Sequence, residues 1–412
     1  MIMNSVASTA GSARPGKPFA LAVFAAMIAG ACTFLNVYCT QPLLPLFMRI
    51  FRASEVQVSL TVGAVTLSVA LAAPFVGLMA ESMGRKKVIV PALFGMGVVT
   101  LLTATANSLH GLIFWRFLQG LFVPGVIAVI IAYINEEFSE RAGMVMSAYV
   151  AGTVFGGFLG RFLTGLMAAH GDWRMAFAVL GVLDLLGALA VRAWLPLATH
   201  FVPAKHVIKS FGDTWGHLQN VRLLAVCGMG FTVLFSLVGV FTYVNFHLAG
   251  APFNLSPAAL GSIFFVYLLG CVVTPLAGRF LDRHGFRRTA LLSVSMSLAG
   301  LFLTLVPSLP VVIGGLALFS SGIFISQSAA TVLTGRVAQG ARSAAAGLYV
   351  TFYYAGGSVA AVATAWFWLR GGWPACVGLF AAASLATLGF SALGGKTMPG
   401  AKPSGPLVDT AI

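Results

Sequence analysis

The chain has 412 residues, of which 59% are apolar and only 8% are charged, whereas a soluble domain carries about a quarter charged residues. This composition excludes a water-soluble fold. The formal net charge of +14 would suggest nucleic-acid binding if position were ignored. Most basic residues fall in alternate loops between apolar segments, however, so we expect no nucleic-acid partner.

Apolar stretches of roughly 20 residues recur along the chain, and each can cross a hydrocarbon core about 30 Å thick as a helix. They predict twelve spans, at residues 19–47, 55–80, 88–106, 111–134, 144–169, 174–196, 222–248, 257–281, 289–308, 311–334, 344–370 and 374–394. We therefore predict an all-α membrane protein with twelve transmembrane helices in two six-helix bundles. The N-terminal bundle covers residues 1–197, a cytoplasmic linker without a continuous apolar run covers 198–221, and the C-terminal bundle covers 222–412.

The distribution of basic residues predicts the orientation of these spans. One set of loops holds only Arg49, Arg52, Arg174 and Arg370, whereas the other set, which includes both termini, holds most of the rest. Because cytoplasmic loops carry an excess of Lys and Arg, both termini are predicted to lie in the cytoplasm. The first apolar run is too long for a cleaved signal peptide and is kept as the first span.

Three groups of residues recur at an almost constant offset. The charged loop 77–87 aligns with 278–288 at an offset of 201, and the glycine pair 156–157 aligns with 356–357 at an offset of 200. The segment 171–173 aligns with 371–373 at the same offset of 200. Transporter folds are often built from duplicated bundles. With six helices in each half, the halves are predicted to be parallel repeats related by an axis along the membrane normal.

The two copies of the charged loop are the gating loops of our prediction. Their key residues are Gly77, Glu81, Gly84 and Arg85 in the first loop and Gly278, Asp282, Arg283 and Gly285 in the second. Glycine lets helices approach and lets the chain turn sharply, and the acid can accept hydrogen bonds from basic side chains or a helix N-terminus. A contact of this kind that forms in one conformation and breaks in another acts as a latch. The alternative is a turn that only fixes topology.

The Gly-x-x-x-acid-x-x-Gly-basic form of these loops resembles the signature of the major facilitator superfamily, and the resemblance covers essentially the whole chain. Arg116-Phe-Leu-Gln119-Gly120 in the fourth span is similar to the family's Arg-x-x-Gln-Gly. Residues 38–45, Tyr-Cys-Thr-Gln-Pro-Leu-Leu-Pro, look like the bacterial subgroup of acriflavine-type drug transporters. The resemblance implies the major facilitator fold in a bacterial inner membrane, and we expect a monomer embedded in the lipid bilayer.

Two departures from the family pattern affect this interpretation. Ser82 stands where the first loop usually has Arg, whereas Asp282 and Arg283 keep the intraloop ion pair in the second copy. Unequal latches are therefore expected, with Asp282→Asn more costly to gating than Glu81→Gln. The fifth span has Phe155-Gly-Gly in place of the Gly-Pro of the family's antiporter motif, which weakens a direct interpretation as a drug/proton antiporter.

Ionisable groups inside a membrane are costly and are therefore functional candidates. The predicted spans hold Arg116, Arg161 and Asp184, at depths that would let them meet. Arg116, with Gln119 one turn further along, is the first candidate for coupling protonation or substrate charge to gating. The alternative is an arginine that only completes a hydrogen-bond network between helices.

Asp184 is the only acid predicted within a span, and a buried carboxyl group can exchange a proton if no cation holds it ionised. If Arg161 is adjacent, the two instead form a structural pair, which the peripheral place of the sixth helix in this family also favours. Glu81 and His247 are the other candidate proton carriers.

The predicted substrate site consists of aromatic and amide residues in four spans, and its members are Asn36, Tyr38, Gln41, Tyr243, Asn245, His247, Gln327, Tyr349 and Tyr353. Aromatic rings with a few amides suit a flat, amphipathic organic molecule. Since no acid is among them, a neutral or anionic compound fits better than a permanent cation. For each residue the alternative is hydrogen bonding between helices.

We predict a secondary active transporter that works by alternating access and exports a small amphipathic compound on a proton gradient. No Gly-x-x-x-x-Gly-Lys-Ser/Thr loop occurs, so ATP hydrolysis is not expected, and neither is enzymatic activity, a metal or a cofactor. The five cysteines are interpreted as small core residues. Proton-coupled uptake of a small organic solute or anion is the alternative, and a membrane-embedded enzyme or a sensor is a more distant one.

Overall fold

The structure is a computed structural model that describes residues 19–198, 218–338 and 342–395, apart from the side chains at 77, 78, 81 and 342–344. Within these ranges every regular element is an α-helix or a 3-10 helix. A helix satisfies its backbone hydrogen bonds within one segment, which a chain surrounded by lipid requires. Most of the predicted linker, residues 199–217, lies outside the described residues.

The N-terminal half begins with a helix that is interrupted near its middle. Its elements are α1 (Phe19–Val37), a 3-10 turn (Gln41–Leu43), α2 (Leu44–Phe51), α3 (Glu55–Met83), α4 (Arg85–Thr103), α5 (Leu109–Phe122), α6 (Pro124–Glu137), a second 3-10 turn (Ser139–Arg141), α7 (Ala142–Ala169) and α8 (Trp173–Trp194). α1 and α2 belong to one apolar span, and so do α5 and α6.

The C-terminal half contains longer helices. Its elements are α9 (Val221–Ala249), α10 (Pro257–Ile263), a 3-10 segment (Phe264–Leu269), α11 (Gly270–Leu303), α12 (Leu309–Val337) and α13 (Arg342–Gly394). α10, the 3-10 segment and α11 follow one another without a gap and form one apolar span.

Ten helices of the described residues are long and apolar enough to cross a membrane. Two of them, Pro257–Leu303 and Ala345–Gly394, have 47 and 50 residues, which is more than twice the length needed for a core about 30 Å thick. Each contains a non-helical break, at Gly285 in the first and at Gly371 and Gly372 in the second. Each can therefore supply two crossings, and the count of twelve stays a prediction.

Capping residues mark where helices start on the predicted periplasmic side. Ser54 and Gln57 form a capping box before α3, and the side chains of Ser108, Asp172 and Ser256 accept backbone N–H groups at the starts of α5, α8 and α10. Such a cap satisfies one of the N–H groups that the first turn leaves without a partner. The polar loops thus define where these apolar runs become helical.

Equivalent close contacts occur in the two halves. A Cβ atom added to Gly156 would clash with the carbonyl oxygen of Ala31, and one added to Gly356 would clash with that of Phe231. Both residues of the second pair lie 200 positions after those of the first. α7 therefore packs on α1 as α13 packs on α9, with the close backbone approach that glycine permits between membrane helices. The bundle boundaries themselves stay a prediction.

Large apolar side chains cover much of the outside of the molecule. Phe75, Met175 and Leu369, for example, are each more than 60% exposed. A soluble monomer rarely exposes a contiguous apolar patch larger than a few hundred Å², so this surface fits the hydrocarbon of a bilayer.

Candidate functional site

The interruption of the first span is the centre of the candidate site. α1 ends at Val37 and regular structure resumes at Gln41, which leaves carbonyl groups without their usual intrahelical donors. Nη2 of Arg116 donates to the Val37 carbonyl at 2.7 Å, and the Thr164 hydroxyl donates to the Cys39 carbonyl at 2.7 Å. Irregular backbone at membrane depth needs such surrounding protein. Side chains from α5 and α7 thus hold the break in place.

The Arg116 guanidinium is fully buried, and most of its N–H groups donate hydrogen bonds. Besides its bond to Val37, it donates from Nε to the Thr61 carbonyl at 3.2 Å and from Nη1 to Gln119 Oε1, and Nη1 lies 3.7 Å from Cys39 Sγ. These contacts use four of the five N–H groups that an arginine carries. The interhelix network that the sequence left open as an alternative is therefore present.

That network continues from Arg116 to Asp184. Gln119 Nε2 donates to the Thr100 hydroxyl, this hydroxyl lies 3.1 Å from Asn36 Oδ1, and Asn36 Nδ2 donates to Asp184 Oδ2. All five side chains are 0% exposed. The Thr100 hydroxyl has one proton and a second acceptor at 2.7 Å, the backbone carbonyl one turn back in α4. The hydrogen-bond chain is continuous when this proton points to Asn36 and is broken when it points to the backbone carbonyl.

Asp184 has no cationic partner among the described residues. Its Oδ1 atom is buried without a hydrogen-bond partner, and in the described part of the chain the only ion pair joins Arg85 to Glu136. The interpretation of Asp184 and Arg161 as a structural pair is therefore wrong. The reason is geometric, since Asp184 faces Asn36 and α4 while Arg161 turns toward the break of the first span.

Arg161 lies instead among three aromatic rings. Its Cζ atom is 4.6 Å from the ring centroids of Phe264 and Tyr267 and 4.8 Å from that of Tyr38. Nε donates to Gln41 Oε1 at 2.7 Å, and Nη1 donates to a carbonyl of its own helix at 2.5 Å. The negative faces of aromatic rings stabilise a cation of this kind. We define Arg161 and these three rings as the arginine cage.

The arginine cage joins the two halves of the molecule. Tyr38 and Gln41 belong to the N-terminal half, whereas Phe264 and Tyr267 lie in the 3-10 segment of the C-terminal half. Gln41 Nε2 also donates to the Thr242 hydroxyl of α9 at 3.1 Å. A stretch of 3-10 helix inside a longer helix often marks a hinge. Any movement of one half against the other must therefore change these contacts.

Two of the predicted substrate residues lie beside the cage. The rings of Tyr349 and Tyr353 stack at 5.9 Å, and Tyr353 also contacts Tyr354 at 5.3 Å. Tyr354 interacts electrostatically with Tyr38, and Tyr353 interacts with Tyr38 and Tyr267. Gln327 is half-buried on α12. Tyr353 and Tyr354 thus lie near Tyr38 of the cage, and Tyr349 is connected to it through Tyr353.

The predicted substrate residues of α9 lie outside the cage. The Tyr243 hydroxyl donates to the Ala361 carbonyl at 3.0 Å, and Asn245 Nδ2 donates to a carbonyl of its own helix at 2.5 Å. His247 stacks on Trp373 at 5.5 Å. These are contacts within and between helices, which was the alternative for each residue. Asn36 belongs to the Asp184 chain rather than to the cage.

The second glycine of each gating loop has a left-handed backbone. φ is 94° at Gly84 and 76° at Gly285, a conformation that favours glycine because it has no Cβ atom. In the first loop, Arg85 binds Glu136 at the end of α6 through two bonds, Nε to Oε2 at 3.1 Å and Nη2 to Oε1 at 2.6 Å. The first loop is therefore attached to its own half.

The second gating loop is open in this structure. Asp282 and Arg283 are exposed, and neither forms an ion pair within the described residues. The intraloop pair predicted from the sequence is absent, because exposed charges gain little from pairing in water. A Cβ atom on Gly278 would meet no atom within 4 Å. The Glu81 side chain lies outside the described residues.

The halves are packed tightly on the predicted periplasmic side of the cage. A Cβ atom on Gly165 of α7 would clash with the Pro257 carbonyl, and one on Gly261 of α10 would lie 2.8 Å from the Arg161 carbonyl. We define this contact of α7 with α10 as the outer seal. Beyond it lies an open cavity of about 640 Å³, whose lining includes Leu260. The cage is thus closed off from that side.

Six residues of the site were missed by the sequence interpretation, namely Thr100, Thr164, Thr242, Phe264, Tyr267 and Glu136. Threonine and aromatic residues inside an apolar span are usual core residues, and no spacing distinguishes these five. Glu136 did carry a signal, because it is an acid at the predicted cytoplasmic end of the fourth span, near a basic loop that needed a partner.

The cysteines form no disulfide or metal site in the described residues. All five are free, and no group of three or more His, Cys, Asp or Glu residues there could hold a metal ion. Cys271 is exposed on α11, which corrects the expectation that every cysteine is a core residue.

The sequence model of the Major Facilitator Superfamily matches residues 26–252 and 245–407, nearly the whole chain. The chain belongs to the major facilitator superfamily. One relative is the MFS-type transporter YybF of Bacillus subtilis (strain 168), which is 32% identical over 381 residues, 92% of this chain and 94% of YybF. The superfamily predicted from the gating loops is confirmed, and the acriflavine-type subgroup stays a prediction.

Two further comparisons place this major facilitator protein among transporters. The multi-drug resistance efflux pump PmrA of Streptococcus pneumoniae serotype 4 is 30% identical over 177 residues, 41% of this chain and 42% of PmrA. The xylose transporter XylE from E. coli, in its inward open conformation, has a TM-score of 0.71 at 15% identity and covers 90% of this chain and 96% of its own. The likeness to XylE shows the shared fold of a multi-pass membrane transporter.

Proposed function

We propose that this major facilitator protein exports a small amphipathic organic compound by proton-coupled alternating access. It acts as a monomer in a bacterial inner membrane, with twelve crossings and both termini in the cytoplasm. One observation carries the proposal, namely the buried hydrogen-bond chain that links Asp184 to Arg116 at the break of the first span. Its partners are the bilayer, protons and the organic substrate.

Coupling follows from what deprotonation of Asp184 does to this chain. In the neutral form, the carboxyl group accepts an ordinary hydrogen bond from Asn36. Loss of the proton makes this bond charge-assisted and therefore shorter and stronger, and it leaves a buried charge that must be solvated or moved. The shorter bond moves Asn36 and weakens or strengthens its contact with Thr100. Because Thr100 is bonded to Gln119 and Gln119 to Arg116, the displacement reaches the arginine that holds the break of the first span. Proton binding is thereby linked to the shape of the site.

Alternating access requires contacts that one state makes and the other breaks. The closed outer seal and the open second gating loop support an assignment of this structure to the inward-facing state. In the outward-facing state, Gly165 and Gly261 separate and the second loop closes, with Asp282 accepting hydrogen bonds from a basic side chain or a helix N-terminus. The arginine cage lies between these two gates.

Export is favoured over uptake by two resemblances. Residues 38–45 look like the acriflavine-type subgroup, and the partial relative PmrA is an efflux pump. Uptake of a small organic solute or anion is the second candidate, because the Phe155-Gly-Gly sequence departs from the antiporter motif.

Everted membrane vesicles separate the two directions. A substrate is first identified in a growth screen, in which a strain that overproduces the protein is exposed to toxic compounds. Export predicts that this substrate accumulates in everted vesicles on a proton gradient and that a protonophore abolishes the accumulation. Vesicles without the chain and vesicles with Asp184→Asn are the controls. Accumulation in right-side-out vesicles instead would contradict export and support uptake.

A further inference from the structure

Arg161 has hydrogen-bond donors that the described protein does not use. An arginine carries five N–H groups, and those of Arg161 that donate are Nε, to Gln41, and one on Nη1, to a carbonyl of its own helix. The second Nη1 group and both Nη2 groups form no hydrogen bond to a described residue. Arg116, the other buried arginine, uses four of its five. The two arginines thus differ in what they can still bind.

The charge of Arg161 also lacks a counter-ion in the described residues. No carboxylate lies within ion-pair distance of it, although its side chain is 1% exposed. Asp184, the buried acid of the same half, is instead bonded to Asn36. The three rings of the cage stabilise the cation in part, but a buried charge is normally paired. The cage therefore holds an uncompensated positive charge at the interface between the halves.

We infer that Arg161 binds the carboxylate of an organic anion and that this anion is the transported substrate. The edge formed by Nη1 and Nη2 presents two parallel N–H groups, which match the two oxygens of a carboxylate. Tyr353 lies near Tyr38 and Tyr267 of the cage and stacks on Tyr349, and these two rings supply a flat apolar surface for the organic part. This assignment rests on the proposed function, because it names the substrate class of the same site.

Binding of an anion would also link the substrate to movement. Phe264 and Tyr267 of the C-terminal half stabilise the Arg161 cation by contacts that must be lost when the halves separate at the outer seal. A bound carboxylate neutralises that cation, so the lost ring contacts cost less. The loaded site is therefore easier to open than the empty one, as coupled transport requires.

The test compares three probes that share one ring system and differ in charge: 2-naphthoate, 2-naphthamide and 2-naphthylmethylammonium. Binding is measured by calorimetry on the purified full chain in nanodiscs of zwitterionic lipid. The wild type should bind 2-naphthoate about tenfold or more tightly than 2-naphthamide, and the cation most weakly. Arg161→Gln should abolish this preference, Arg161→Lys should keep part of it, and Arg174→Gln, on the predicted periplasmic surface, should keep all of it.

Equal affinity of the wild type for 2-naphthoate and 2-naphthamide, or binding of none of the three, would overturn the assignment. So would an anion preference that persists in Arg161→Gln. If that variant does not fold, the wild-type ratio and Arg161→Lys decide. Anion preference without proton-driven export in everted vesicles would retain the site and reject the proposed function. Proton-driven export without anion preference would retain the proposed function and reject the anion site.

Discussion

Gln41 and Thr242 are 201 residues apart in the chain and are joined by a hydrogen bond of 3.1 Å between Gln41 Nε2 and the Thr242 hydroxyl. At the offset of 200 that relates Ala31 of α1 to Phe231 of α9, Thr242 lies one residue beyond the equivalent of Gln41. Two positions so nearly equivalent can touch only close to the axis between the halves. The bond therefore lies near the predicted axis, and Arg161, bonded to the same glutamine, lies beside it.

Replacing Thr242 by Val should loosen the outer seal. The substitution keeps the shape of the side chain and leaves the buried Gln41 amide without an acceptor, which costs about 1–3 kcal/mol. Since the bond joins the two halves, this cost falls on the closed outer side. Leu260 is 1% exposed in this structure. The measurement is the rate at which a Leu260→Cys reporter is labelled by a membrane-impermeant maleimide added from outside. We expect labelling to become faster.

The control for this experiment is Thr105→Val, just after the end of α4. Thr105 is exposed, and its hydroxyl donates to the Leu102 carbonyl at 2.7 Å. Its loss should leave the labelling rate unchanged. Equal rates in Thr242→Val and the parent would show that the bond does not help to close the seal.

Gly165→Val should have a larger effect of the same kind. Any Cβ atom at this position clashes with the Pro257 carbonyl across the outer seal, and overpacking of a tight contact costs about 1–3 kcal/mol. Faster labelling of the Leu260→Cys reporter and loss of transport are expected. Gly378→Val is the matched control, because Gly378 is exposed and a Cβ atom there meets nothing within 4 Å. Slow labelling in Gly165→Val would contradict the assigned seal.

The repeat in the fold does not extend to the charged residues. Residues 200 and 201 positions after Arg116, Arg161 and Asp184 are Leu316, Ala317, Ala361, Val362, Ser384 and Leu385. None of them can carry a proton or pair with an anion. The hydrogen-bond chain from Asp184 to Arg116 and the cage cation thus both belong to the N-terminal half, while the C-terminal half supplies rings and the second gating loop.

The sequence predicted the helical fold because it follows from local patterns. Apolar length predicts spans, and recurring glycines such as Gly156 and Gly356 predict where helices approach. It also identified Arg116, Arg161 and Asp184, because ionisable groups are rare in lipid. It could not predict which of them meet. That depends on the direction of each side chain across helices far apart in the chain, and one helical step decides whether Asp184 faces Arg161 or Asn36.

Asp184→Asn should uncouple transport from protons. The amide is nearly isosteric with the carboxyl group but cannot exchange a proton at neutral pH, so accumulation driven by a pH gradient should be lost. Exchange of labelled for unlabelled substrate should persist, because the site itself is intact. Both are measured in proteoliposomes with a substrate from the growth screen. Asp172→Asn, which changes only the cap of α8, should retain coupling. Gradient-driven accumulation by Asp184→Asn would reject Asp184 as the proton carrier.

Thr100→Val tests whether the chain transmits the effect of Asp184. Valine keeps the shape of threonine but can neither accept from Gln119 nor donate to Asn36, so proton-driven accumulation should fall while exchange persists. In the double variant with Asp184→Asn, the second substitution should add nothing further, since residues of one network act non-additively. Additive losses would show that Thr100 and Asp184 act independently.

Asp282→Asn should favour the inward-facing state, whereas Thr242→Val should favour the outward-facing state. Asp282 is exposed and without an ion pair in this state, so the substitution costs this state nothing and destabilises the state in which the second gating loop closes. An exposed ion pair contributes about 0–1 kcal/mol, which corresponds to at most about a fivefold change in the ratio of states. Labelling of the Leu260→Cys reporter should therefore slow down.

Glu140→Gln, an exposed acid outside both loops, controls for the loss of a surface charge and should have no effect. Faster labelling in Asp282→Asn would mean that Asp282 stabilises the closed outer side, and the latch would then have to be assigned to the other state.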